Sequence, residues 1–441
     1  MEPRGVQVSF AEALRVWLKI GCIGFGGPAG QIALMHRILV DDKKWVEESR
    51  FLHALNYCML LPGPEATQLA TYIGWMMHRT WGGVVAGGLF VLPSVFILVT
   101  LSWLYMAYGE VPAVAGLLYG IKPAVVAIVL AAAWRIGSRA LKHPALWLIS
   151  VAAFCAIGLF SVPFPYVVLA AALAGALGGR FVPRVFSADG GHGAGAKHYG
   201  PAIIDDDTPT PEHARYRPRR LLAVAAIGIG LWAAMLGALA LAFGWQGTLA
   251  QMGWFFTKAA LLTFGGAYAV LPYVYQAAVE NHQWLTATQM IDGLALGETT
   301  PGPLIMVVAF VGFVGGWSQA LFGADQPFVA GAAAAVVATF FTFLPSFLFI
   351  FAGAPLVEAT HGNLKFTAPL TGITAAVVGV VVSLAVFFAQ HVFVVAGGAD
   401  WIAIAGAALA LVALVRFKVG LIPLILSMGG AGLLLRLSGV A

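Results

Sequence analysis

The chain has 441 residues, of which 60% are hydrophobic and only 10% charged, and its mean hydropathy is +0.89. A soluble domain is about 45–50% apolar and about 25% charged, so a water-soluble globule is excluded and lipid must cover part of this surface. The net charge of +5 is read as marking cytoplasmic loops of a membrane protein rather than a nucleic-acid surface.

Residues 1–10 are short and mixed, without the apolar core and small-residue cleavage site of a signal peptide, so the first segment is expected to stay. A helical stretch over 10–24 is interrupted by Phe25-Gly26-Gly27-Pro28 and resumes to about residue 40. Residues 41–48 are polar, and a second stretch over 49–61 meets Pro62-Gly63-Pro64 before continuing over 65–78. Each arm is short of the roughly 20 residues that span a bilayer, so each pair reads as a re-entrant hairpin or a broken helix. Uninterrupted apolar runs follow over 83–108, 111–134 (broken only by Lys122), 221–243, 328–351 and 368–388. The expected count is about nine full spans plus four broken or re-entrant pairs. Cys22, Cys58 and Cys155 lie in apolar segments without paired spacing and are read as small buried hydrophobes, not as a disulfide framework or metal site. Trp45, Trp81, Trp284 and Trp317 are expected at membrane interfaces.

The chain repeats itself. Phe25-Gly26-Gly27 recurs as Phe264-Gly265-Gly266, a shift of 239 residues, and Lys19, Trp45 and Pro62-Gly63-Pro64 recur at the same shift as Lys258, Trp284 and Pro301-Gly302-Pro303. Further on, Leu92-Pro93-Ser94 and Gly120-Ile121 match Leu344-Pro345-Ser346 and Gly372-Ile373 at a shift of 252, which places most of the 13 extra residues in 316–327. The predicted organisation is a first repeat over 1–183, a polar cytoplasmic linker over 184–220, an extra transmembrane helix over 221–245 and a second repeat over 246–441. The linker residues His192, His198, His213 and Asp205 to Asp207 are read as a solvated flexible loop, not a metal site.

One added crossing between even-crossing repeats turns the second upside down. The charges agree with this: Arg135, Arg139 and Lys142 mark a loop of the first repeat whose mate near Val394 to Asp400 has no Lys or Arg. Arg416 and Lys418 mark a loop whose mate near Ser161 to Phe164 has none, while Arg436 departs from the pattern. Because basic loops face the cytoplasm, the fold class is an all-α polytopic membrane protein with two homologous halves in inverted topology, the layout of secondary transporters.

Breaks inside a membrane free backbone groups that lipid cannot satisfy. A helix that restarts after a break presents unpaired N–H groups and its positive dipole end, which suits an anion. Pro28, Pro64 and Pro303 suit the first turn of such helices, whereas the mate of Pro28 is Ala267. Glycine pairs can also serve close helix packing alone; two motif types, each repeated in inverted halves, favour a site. Lys19 and Lys258 precede the Phe-Gly-Gly breaks by six residues and are read as ammonium groups for that site. Gln68, Thr299 and Thr300 are read as neutral hydrogen-bond donors to oxyanion oxygens. Glu65 and Glu298 flank the Pro-Gly-Pro breaks and are the proton-coupling candidates. No catalytic residue, metal site or cofactor is called.

At these residues, Phe25-Gly26-Gly27-Pro28, Pro62-Gly63-Pro64, Phe264-Gly265-Gly266 and Thr300-Pro301-Gly302-Pro303, the chain resembles the chromate ion transporter family, the long two-domain bacterial type. The resemblance implies efflux of chromate across the inner membrane with overlap to sulfate, another tetrahedral dianion. A dianion leaving an inside-negative cell is driven by about 4.6 kcal/mol per 100 mV, a gradient on the order of a thousandfold, so efflux needs no ATP and no Walker motif is present. The expected partners are chromate and sulfate, protons as coupling ion, the lipid bilayer, and a second copy of the chain as a homodimer; nucleic acid is not among them. Uptake of sulfate or another oxyanion, and an anion channel of the same architecture, are the competing readings. A membrane enzyme would need haem-ligand His pairs, a metal cluster or a catalytic domain.

Overall fold

In the computed structural model, described over residues 8–186, 203–204, 212–360, 367–395 and 398–439, nearly every element is a helix. The first repeat opens with α1 (Phe10–Ile23), capped by Ser9, whose hydroxyl accepts from the Glu12 amide. A break at residues 24–26 leads to α2 (Gly27–His36), which runs through a π-helical turn (Arg37–Asp42), and then α3 (Glu48–Leu60) meets the Pro-Gly-Pro break. The next helix, α4 (Glu65–Tyr108), is two helices in one: non-helical backbone at His78 and Arg79 (φ 56°) separates a short arm over 65–77 from a full span. Then come α5 (Pro112–Ala140), α6 (Pro144–Gly158), α7 (Phe164–Phe181) and the single turn α8 (Pro183–Phe186).

After the linker comes α9 (Pro218–Phe243), a helix long and apolar enough to cross a membrane. The second repeat retraces the first: α10 (Thr248–Leu262), α11 (Ala267–Tyr275), a π-helical turn (Gln276–Asn281) that lies 239 residues after its mate, and α12 (Ala287–Thr299). A 3-10 turn (Leu304–Met306) leads into α13 (Val307–Ser318), followed by α14 (Pro327–Thr360), α15 (Thr367–Phe393), α16 (Trp401–Val415) and α17 (Leu421–Leu437). The extra residues are where the shift in register puts them: the tight His78–Arg79 corner of the first repeat is opened into the 319–326 connection of the second. A two-residue hairpin, β1 (Val394–Val395) with β2 (Gly398–Ala399), joins α15 to α16.

Among the described residues, six helices are long and apolar enough to cross a membrane, and four apolar helices are shorter. Nine full spans are reached only if the shorter α6, α16 and α17 also cross. All four broken pairs are present, α1/α2, α3 with the first arm of α4, α10/α11 and α12/α13, with arms of 9 to 15 residues.

The halves interlock by a pseudo-two-fold. Helix α5 packs on α16 and α17 of the other half, and its mate α15 packs on α6 and α7. The self-symmetric pairs α4/α14 and α5/α15 lie on the axis. Glycines permit the crossings: a Cβ at Gly120 would lie 2.0 Å from the Met428 carbonyl oxygen, and one at the mate Gly372 would lie 2.3 Å from that of Ala171.

Three sequence expectations are corrected. Trp45 and Trp284 are 3% exposed and belong to the core, Trp284 stacking on His282 and Phe256; only Trp81 stands well out, at 75%. Cys22 is exposed and only Cys58 is buried. Parts of the linker are docked rather than free: Ile203 and Ile204 hydrogen-bond to the backbone at 44–47, and the ring of His213 packs edge-on to Trp75 and bonds its carbonyl at 2.9 Å. His192, His198 and Asp205 to Asp207 lie outside the described residues.

Candidate functional site

The four breaks meet in two crossed pairs. The Gly63 amide donates to the Thr263 carbonyl at 2.7 Å, and its mate, the Gly302 amide, donates to the Gly24 carbonyl at 2.8 Å. The Pro-Gly-Pro loop of each half is therefore fastened to the Phe-Gly-Gly break of the other. The Leu-Pro-Ser motifs close the same joint. Gln68 Nε2 donates to the Pro62 carbonyl at 2.8 Å and reaches Ser346 Oγ at 3.5 Å. Across the axis Ser94 Oγ lies 3.5 Å from Thr300 Oγ1. Gln31 on α2 donates through Nε2 to both the Gly24 and Gly302 carbonyls. All three motif types of the repeat, scattered over 70 residues in the first half and 83 in the second, thus converge at one place.

The two glycine motifs play different parts. Gly63 (φ 121°) and Gly302 (φ 102°) are crowded: an added Cβ would lie 2.5 Å from Ser346 Oγ and 2.9 Å from Ser94 Cβ respectively. Gly26 (φ 93°), Gly27 (φ 68°), Gly265 (φ 78°) and Gly266 (φ 98°) are the reverse, because a Cβ on any of them would meet nothing nearer than 3.8 Å. Helices α2 and α11 start at these open glycines without a side-chain cap; in α11 the Ala269 amide already donates to the Gly266 carbonyl, and a helix start of this kind offers its remaining first-turn N–H groups and positive dipole end to an anion. Lys19, Cys22, Ile23 and Gly26 are exposed together, and Leu261 and Gly265 repeat that face in the second half, where Lys258 is half-buried. Each lysine therefore shares the exposed face of the helix that leads into its break. Lys258 also lies 5.7 Å over the Trp254 ring; Lys19 makes no hydrogen bond or ion pair among the described residues. Phe25 and Phe264 are half-buried beside the breaks.

Other expected residues are held differently. Pro28 is in the first turn of α2, but Pro64 and Pro303 sit one position earlier, as N-caps of α4 and of the 3-10 turn, and Pro301 opens the second loop. The hydroxyls of Thr299 and Thr300 donate to the Leu296 and Gly297 carbonyls. With one O–H each, and with Gln68 Nε2 spent on Pro62 and Ser346, these donors build the joint in this state and leave no proton for a ligand oxygen. Glu298 is buried and accepts from the Tyr268 hydroxyl, whereas Glu65 is half-buried in the first turn of α4.

The sequence reading passed over a buried charged cluster. Asp292 on α12, 3% exposed, accepts from the Tyr105 hydroxyl at 2.9 Å and faces Lys122 Nζ at 3.6 Å. Both ionisable residues interrupt apolar membrane segments, which is itself a functional signal. No group of three or more His, Cys, Asp or Glu among the described residues could hold a metal.

The packing is also asymmetric. In the second half α11 and α12 rest on α15 and α5, while their mates α2 and α3 make no comparable packing on either, and the first half's arms form a separate core around Trp17, Phe51, Trp75 and Phe90.

These features define a polytopic helical membrane protein of two interlocked repeats with broken helices at their common axis. The profile of the Chromate transporter family matches residues 11–176 and 250–433, one stretch in each repeat, and the chain belongs to that family. It is 33% identical to the "Chromate transport protein" of Pseudomonas aeruginosa, over 87% of this chain and 82% of that one. It is 29% identical to the "Chromate transport protein" of Cupriavidus metallidurans over 86% and 82%, and 28% identical to a "Probable chromate transport protein" of Synechococcus elongatus over 87% and 85%. No solved structure matches.

Proposed function

We propose that the chain is a secondary transporter that exports chromate across the bacterial inner membrane. The observation that carries this reading is the crossed joint, in which two open Phe-Gly-Gly helix starts without side-chain caps, each entered from a helix that carries a lysine on its exposed face, flank one pseudo-two-fold axis. A tetrahedral dianion can take backbone N–H groups from a helix start and charge from a lysine ammonium. The asymmetry of the two repeats supports alternating access, in which they exchange conformations about the axis, and it disfavours an open channel. The membrane potential drives a dianion outward without further energy. Sulfate uptake is the second reading, favoured only by the shared shape of the two ions.

The test is labelled chromate flux into inside-out vesicles under an imposed potential, with sulfate as competitor. Saturable uptake is expected, reduced at least tenfold in Lys258→Ala and several-fold in the more exposed Lys19→Ala. Flux of sulfate without chromate would discard the chromate assignment and keep the architecture, and non-saturating flux would favour a channel. The orientation we propose places the N-terminus and linker in the cytoplasm and the C-terminus in the periplasm. Tags in the linker and at the C-terminus are then expected to react from opposite sides; labelling of both from the cytoplasm would reject it.

A further inference from the structure

We propose that Asp292 is the residue that carries the coupling proton, with Lys122 as its switchable counter-ion; this rests on the oxyanion-transport reading above. One Asp292 oxygen, Oδ2, takes both the Tyr105 hydroxyl and the Lys122 ammonium. The other, Oδ1, is buried with no hydrogen-bond partner. A buried charged oxygen left unpaired is costly, and a proton on Oδ1 removes that charge, so the carboxyl no longer needs the ammonium. The charged or titratable groups that act on Asp292 from the surrounding helices are Lys122 of α5 and Tyr105 of α4. Helix α13 presents Phe310, which packs on Tyr105, and on α12 itself Glu298 is already engaged by Tyr268.

The cluster ties the two halves together at one of two pseudo-equivalent positions. At the repeat shifts of 239 and 252, Asp292 corresponds to His53 and Lys122 to Thr374, so the first half has no such pair. The tie lies where the second half's arm is docked on α5, and α3 makes no comparable packing on α15. An exchange of repeat conformations must therefore break the Asp292–Lys122 contact. Thr374, the mate of Lys122, lies beside the second break, its Oγ1 3.9 Å from a Cβ placed on Gly265. By the same two-fold, the exchanged state brings Lys122 beside the first break at Gly26.

The step balances simply. A hydronium ion from the water phase gives up one O–H bond and leaves as water, the new O–H bond forms on Oδ1, Lys122 stays an ammonium, and the cluster goes from neutral to a single positive charge. The freed ammonium turns from Asp292 to the bound oxyanion. Proton and anion thus load together and move in the same direction, and a chromate dianion with one proton still carries one negative charge for the membrane potential to drive outward.

The experiment uses inside-out vesicles holding the full chain, with the potential clamped, a pH dye in the lumen, and labelled chromate or labelled sulfate as probe, above neutral pH where both are dianions. Wild-type flux is expected to acidify the lumen and to rise as the bath is acidified. Asp292→Asn, which mimics the protonated carboxyl, should still move the anion but lose the acidification and at least three-quarters of the pH dependence. Asp292→Glu should keep both, and Glu298→Gln should leave the acidification per anion unchanged. Wild-type anion flux without acidification, or acidification retained in Asp292→Asn, overturns the assignment and leaves the transport reading standing. If Asp292→Asn does not fold, loss of the acidification in Asp292→Glu overturns it equally. Sulfate flux without chromate flux removes the substrate and not the coupling, which is then read with sulfate; no flux of either anion overturns both.

Discussion

Gly63→Ala and Gly302→Ala are each expected to lower oxyanion flux at least tenfold and to destabilise the detergent-solubilised protein by about 2–6 kcal/mol. Two separate costs make up that range. Positive φ at these positions strains any residue with a Cβ, by about 1–3 kcal/mol, and forcing a methyl into a packed site costs a further ~1–3 kcal/mol. The steric part has a named partner on the opposite half: Ser346 for Gly63 and Ser94 for Gly302. Adding Ser346→Gly to Gly63→Ala should restore part of the flux and thermal stability, and so should adding Ser94→Gly to Gly302→Ala. The mismatched combinations, Gly63→Ala with Ser94→Gly and its mirror, should restore nothing. Measured as a double-mutant cycle, coupling within matched pairs and none across mismatched ones is the signature of the crossed joint. Equal behaviour of all four combinations would mean that the Pro-Gly-Pro loops do not meet the opposite Leu-Pro-Ser motifs.

The sequence made the repeat and its broken helices legible because a shift of fixed length recurs at Phe25-Gly26-Gly27, Lys19 and Pro62-Gly63-Pro64, and glycine and proline leave few other uses inside a membrane. It could not show which half each motif touches. A hydrogen bond from Gly63 to Thr263 crosses 200 residues, and nothing in local spacing separates that from a bond within one repeat. For the same reason Gln68, Thr299 and Thr300 read as free donors, although the short loops around them let their own carbonyls take the protons. Trp45 and Trp284 followed the interfacial habit of tryptophan in reading but are buried in fact, because each follows a π-helical turn that folds the chain back over the core. Asp292 and Lys122 stood in plain view as charges in apolar segments. They carry no repeated motif, and a search guided by symmetry passes over a pair whose point is that it breaks symmetry.

The interlocking of the halves should prove as demanding as the joint. Gly120 on α5 opposes Gly432 on α17, and Gly372 on α15 opposes Gly175 on α7; each contact joins a long helix of one half to the last helix of the other. An added Cβ at Gly120 would also come within 2.8 Å of Gly432 Cα, and one at Gly372 within 2.9 Å of Gly175 Cα, so even alanine forces the helices apart. In a bilayer the loss is severe, because association there rests on close van der Waals packing rather than on hydrophobic burial. Gly120→Leu and Gly372→Leu are therefore expected to reduce the yield of monodisperse protein at least tenfold by size-exclusion chromatography, with the alanine variants between them and wild type. Gly430→Leu is the control on the same helix as Gly432, since a Cβ there meets nothing within 4 Å, and it should leave yield and flux near wild type. Two sites in opposite halves with matching severity would follow from the pseudo-two-fold, since each half then supplies the surface on which the other's last helices pack. A severe Gly120 variant beside a harmless Gly372 variant would break that equivalence and with it the account of two repeats rocking about a common axis.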